Sequence, residues 1–201
     1  EEDIFISESL VNQAIKIEPY LLEAKLLLGR VYIHNIEYNN ALIQFKEVLQ
    51  LAREKDDATS IRTSIFDIEH LYDITGDTTN IGPLLLEQLK YSRKNGNRIQ
   101  ELNDLYSLVI HYDSISLDSS IYYCKQAIDV TNKYFDRKKY MFAVARLGSI
   151  YKFGNINSNG VIDPGFILSK KYIKKAIKIS NEINDKYHIL DYLTALRTIA
   201  L

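Results

Sequence analysis

The chain has 201 residues, 46% of them hydrophobic and 25% charged, the balance of a folded domain and not of a disordered or membrane-embedded one. Its 25 Lys and Arg stand against 26 Asp and Glu, a formal charge of −1, so no net field makes nucleic acid or anionic lipid the default partner. One cysteine, Cys124, excludes an internal disulfide framework, and no apolar run approaches the roughly 18 residues of a membrane span.

With only three Pro and eight Gly, apolar residues recur at spacings of three and four almost throughout, which predicts helix from end to end. Residues 4–17 read as one helix, with Val11 and Ala14 ahead of Pro19. A first pair follows: Leu26 to Tyr32 reads Leu-Leu-Leu-Gly-Arg-Val-Tyr, and Ala41, Phe45 and Val48 follow at small-x3-bulky-x2-small spacing. Lys55-Asp56-Asp57 breaks the pattern, with Asp57 able to cap the next helix.

The same order returns three times. Ile68 and Tyr72 precede the break Thr75-Gly76-Asp77 and the set Leu85, Leu89, Ser92; after Asn95-Gly96-Asn97, Leu108 and Tyr112 precede Ser120, Cys124 and Ala127. Leu147, Gly148 and Tyr151 precede an insertion from Gly154 to Phe166 and the set Ser169, Ile173, Ala176. Tyr32, Tyr72, Tyr112 and Tyr151 recur at an almost even interval of about 40 residues, each four after an apolar residue on one helix face. Gly29 and Gly148, set inside strong helical patterns that they weaken by about 1 kcal/mol each, are expected to admit a neighbouring helix. Residues 186–201 read as a first helix without its second.

These motifs resemble the tetratricopeptide repeat (TPR), in particular the bacterial members with units of about 40 residues. The resemblance implies an all-α fold of antiparallel helix pairs stacked into a right-handed superhelix. Residues 1–201 would form one repeat domain with units near 1–19 (partial), 20–56, 57–96, 97–136, 137–185 with the insertion 154–166, and 186–201 (partial). The incomplete outer units lead us to expect a piece of a longer protein.

First helices line the concave face of such superhelices. The expected partner-binding groove therefore comprises Arg30 and His34; Phe66, His70 and Asp73; Tyr106, Ile110 and Asp113; and Arg146, Ser149 and Lys152. Chaperone-binding relatives hold a peptide carboxylate with a Lys and Asn cluster; Leu26, Arg30 and Ile33 stand at those places here, so that activity is not expected.

The four histidines lie on different predicted helices without H-E-x-x-H spacing, and no metal site is expected from them. His70 with Asp73 and His111 with Asp113 are candidate pairs titrating near neutral pH. Asn155, Asn157, Asn159 and Asp163 fall at calcium-loop spacing, yet a single carboxylate makes a poor site for a hard cation. An Asn/Gly-rich turn ending at Asp163-Pro164-Gly165 is the preferred reading. Cys124 is expected buried and inert, and no nucleophile elbow or other catalytic motif supports an enzyme. Lys170, Lys171, Lys174, Lys175 and Lys178 stripe one helix, read as a solvated face, with an acidic partner or membrane surface as the second reading.

The function expected is a protein- or peptide-binding scaffold, the sensory or interaction segment of a larger bacterial regulator. A peptide or small-ligand receptor using the same groove and a self-associating structural subunit are the alternatives. Partners would be a protein, a peptide or an effector domain of the same chain, without nucleic acid, membrane insertion or cofactor. The compartment, on the cytoplasmic or periplasmic side of a bacterial membrane, stays open.

Overall fold

A computed structural model describes residues 2–76, 80–153 and 164–200, the side chains of residues 2–8, 153 and 200 excepted. The calcium-loop candidates Asn155, Asn157, Asn159 and Asp163 lie outside the described residues. The described residues form helices α1 (Glu2–Ile17), α2 (Leu22–His34), α3 (Tyr38–Glu54), α4 (Ala58–Thr75), α5 (Ile81–Lys94), α6 (Arg98–Tyr112), α7 (Leu117–Tyr134), α8 (Arg137–Phe153), α9 (Pro164–Glu182) and α10 (Lys186–Ala200). Two compact units, Glu1–Tyr91 and Ser92–Leu201, divide the chain within α5.

In the first unit α1, α2, α3 and α4 pack in succession, and the first-type helices α2 and α4 also touch. In the second, α6 through α10 pack in succession. The periodic residues of the sequence are the ones that meet. All twelve members of the small-bulky-small sets are buried: Ala41, Phe45, Val48; Leu85, Leu89, Ser92; Ser120, Cys124, Ala127; and Ser169, Ile173, Ala176. Small side chains let the next backbone come close while the bulky one fills the space beside it. Gly29 lies against the ring of Phe45, and Gly148 against Ile173.

Four of the turns follow one plan. At the ends of α2, α3, α5 and α9 the chain passes through a residue of positive φ, Ile36 (64°), Asp56 (50°), Gly96 (64°) and Asn184 (57°). Its N–H, and that of the residue after it, donate to carbonyls three and five residues back, which closes the helix end as a Schellman motif. After three of these turns the next residue caps the following helix. Asp57 accepts from the N–H of Thr59 and Ser60, Asn97 from Gln100 and Asp185 from His188. The hydroxyl of Ser60 beside Asp57 holds that carboxyl below its usual range.

One boundary differs from expectation. The turn assigned to Asp163-Pro164-Gly165 is not all turn, because α9 begins at Pro164 and Gly165 and Phe166 are already helical. Proline suits a first helical position, where its missing N–H would have had no partner and its φ is preset.

Candidate functional site

In the second unit the first-type helices α6 and α8 face each other across a cleft of about 470 Å³ lined by Leu102, Asn103, Tyr106, Ile110, Lys139, Phe142 and Arg146. Three expected groove residues, Tyr106, Ile110 and Arg146, converge there. Ile110 is 67% exposed, Tyr106 and Phe142 are half-buried, and Lys139 is exposed at the start of α8. Burial pushes the Tyr106 phenol up to about 12, so it stays neutral, with Cys124 raising it further and Arg146 opposing.

Arg146 does not stand alone: its guanidinium pairs with Asp113, whose other oxygen accepts from the Ser120 hydroxyl at 2.5 Å. Lys139 lies with its ammonium 4.4 Å from the centre of the Phe135 ring. Behind the cleft the Phe142 ring meets His188 edge-on at 4.7 Å, and His188 Nδ1 is 2.8 Å from Asp185 Oδ1. The cleft thus offers apolar and aromatic walls with two cations at its edge. Lys139 makes no ion pair among the described residues, and no carboxylate lines the cleft.

The remaining groove candidates fall elsewhere. Ser149 donates to the Ala145 carbonyl, and Lys152 donates to the Thr198 hydroxyl at 2.8 Å. In the first unit Arg30 binds Asp67 with both carboxylate oxygens engaged, at 2.9 to 3.1 Å, so its fork is occupied within the protein. His34, Phe66, His70 and Asp73 are exposed on α2 and α4. Sequence reasoning missed Leu102, Asn103, Lys139 and Phe142. A signal was present for two of them, since Asn103 and Phe142 each stand six residues after an Asx that caps its helix, Asn97 and Asp136.

The pairing of His111 with Asp113 needs correction. Asp113 is held by Arg146 and Ser120, whereas His111 lies edge-on to Tyr112 at 4.8 Å, and burial lowers its pKa. Cys124 is fully buried, its thiol directed at the Ala143 carbonyl and pushed up to about 12 by burial, which leaves little thiolate for nucleophilic work. Among the described residues no three His, Cys, Asp or Glu gather as a metal site, and no helix is long and apolar enough to cross a membrane.

A second hollow of about 570 Å³ lies between the α7–α8 and α9–α10 turns. Two of its cations are engaged within the protein: Arg137 pairs with Glu182 at 2.5 Å and Lys138 with Asp185 at 3.1 Å.

No protein-family model and no curated protein sequence matches the chain. Solved structures do. The TPR-like repeats of a Podosopora anserina kinesin light chain are similar at TM-score 0.63 and 13% identity, over 91% of this chain and 89% of that one. MamA is similar at TM-score 0.58 and 18% identity, over 92% and 87%. The signal transduction ATPase with numerous domains from Pyrococcus horikoshii, which has a tetratricopeptide repeat sensor, is similar at TM-score 0.65 and 16% identity. This chain is covered to 93% but spans only 29% of that protein. The fold is that of TPR-like repeat proteins.

Proposed function

We propose that this chain is a protein-interaction scaffold that captures a peptide segment in the α6–α8 cleft, without catalysis. The observation that carries the reading is the convergence of Tyr106, Ile110 and Phe142 with Lys139 and Arg146 around one open cleft. Concave sites with apolar walls and a few placed polar groups are where ligands are held. The chemistry fits a segment that presents an aliphatic or aromatic side chain beside a carboxylate. We further infer a sensory or interaction role within a larger regulator, supported by the likeness to a signal transduction ATPase that has a tetratricopeptide repeat sensor.

The test is selection of random peptides on the immobilised chain. Enriched sequences should carry an apolar residue next to Asp or Glu and should lose at least tenfold in affinity for the double variant Ile110→Ser/Lys139→Ala. Both positions are exposed, so helicity and melting temperature should not change. Equal binding of the enriched peptides to the variant would rule the cleft out.

One observation favours a second reading, self-association: on α10, Tyr187, Leu190 and Leu193 are 78%, 68% and 47% exposed. That reading predicts a sedimenting mass above the monomer that returns to it in Leu190→Lys/Leu193→Lys.

A further inference from the structure

The near-zero charge of the chain conceals a division. Residues 1–91 hold 8 Lys and Arg against 16 Asp and Glu, a formal −8, and residues 92–201 hold 17 against 10, a formal +7. Much of the second unit's excess sits on one helix. Helix α9 carries Lys170, Lys171, Lys174, Lys175 and Lys178, all exposed, and no acidic residue before Glu182. At about 100° per residue these five cover an arc of roughly 140°, with Ile167 inside it. Ile167 is 62% exposed.

An ordinary solvated face does not need this pattern. Helix α7, the preceding second-type helix, mixes Asp118, Lys125, Asp129 and Lys133 on its exposed positions. On α9, like charges recur at separations of three and four, an arrangement that weakens a helix. Among the described residues Lys170, Lys171, Lys174 and Lys178 make no ion pair, and Lys175 donates to the Tyr140 hydroxyl at 2.6 Å and to no carboxylate. Glu182 is occupied by Arg137.

The kind of polyanion follows from what the face lacks. Tyr172, the tyrosine of α9, is stacked on Tyr151 at 5.8 Å and is not free to stack on a base. The face has no arginine fork to read a groove edge, and no Trp, Tyr or Arg anchor of the kind that dominates protein interfaces. What it has is a dense set of flexible point charges around one aliphatic side chain. That suits a headgroup layer, to which each lysine adds attraction and into which a single isoleucine can dip.

We propose that the exposed lysine face of α9 is a peripheral docking surface for a bilayer of anionic phospholipid. The test is co-sedimentation of the full chain with two kinds of vesicle, phosphatidylcholine alone and a two-to-one mixture of phosphatidylcholine with phosphatidylglycerol. Binding to the anionic vesicles only, lost in high salt, is expected. The triple variant Lys170→Gln/Lys174→Gln/Lys178→Gln should weaken partitioning about a hundred-fold, with its circular dichroism and melting temperature unchanged, while Lys125→Gln/Lys133→Gln on α7 should bind as the parent does. Three results would overturn the proposal: no sedimentation with anionic vesicles, equal sedimentation with neutral ones, or a triple variant that binds undiminished. Salt-sensitive binding to tRNA or to poly-glutamate without vesicle binding also overturns it.

Discussion

A β-carbon placed on Gly29 would stand 2.3 Å from Cε1 of Phe45, a ring with no exposed surface. The ring cannot retreat without disturbing the packing of α2 on α3. Gly29→Ala should therefore destabilise the chain by about 1 to 3 kcal/mol, despite the roughly 1 kcal/mol that alanine returns in helix propensity. Urea unfolding measures it, and Phe45→Leu should recover part of the loss in the Gly29→Ala background but not alone.

Arg30 and Asp67 join α2 to α4, with Asp67 buried and Arg30 half exposed. Burial raises the Asp67 pKa, and Arg30 opposes that rise. A raised carboxyl favours the fold below its unfolded pKa and ceases to do so as pH rises through the folded value. Arg30→Ala raises it further, so the variant should match the parent near pH 3 and fall behind above pH 4. By neutral pH the gap should reach about 1 to 2 kcal/mol, the lower part of the range for a stranded charge because Arg30 is half in water. Denaturant titrations at the two pH values decide it.

Asp185 behaves in the opposite sense. The His188 hydrogen bond, assisted by Lys138, holds its carboxyl down to about 2. A lowered carboxyl stabilises the fold above its unfolded pKa and loses that effect as pH falls through the folded one. The stability difference between the parent and Asp185→Asn should be full at pH 6, shrink from pH 4 downward and close near pH 2. A difference that stays constant across that window would show that the bonds at Asp185 do not depend on its charge.

Ile36 turns the chain at φ +64°, a region where a β-branched residue is strained, and it is 72% exposed. Ile36→Gly relieves the strain with little packing to lose. It should raise stability by about 0.5 to 1 kcal/mol after glycine's greater freedom in the unfolded chain is set against it. Thermal melts provide the measurement.

The helix pairs were legible because the residues that set their spacing act locally. Leu28 with Tyr32, or Ser169 with Ile173 and Ala176, share a face whatever else the chain does. The cleft was half legible. Tyr106, Ile110 and Arg146 follow from the period of single helices, but Phe142 and Asn103 are brought together only when α6 and α8 lie side by side. The occupation of Arg30 by Asp67 was out of reach for the same reason, since the partners are 37 residues apart on helices of successive pairs. The charge division was visible in the letters, yet the total of −1 hid it.

Each joint between a second helix and the next first helix at Asp57, Asn97 and Asp185 satisfies its own backbone groups within a few residues of chain. The first two joints stand one repeat unit apart. A gene segment duplicated or excised between them would therefore rejoin with the same closing turn and capping side chain at the seam. Gain and loss of whole repeats is the change in length that this backbone tolerates most readily, and an array that grows this way can vary its cleft residues one unit at a time.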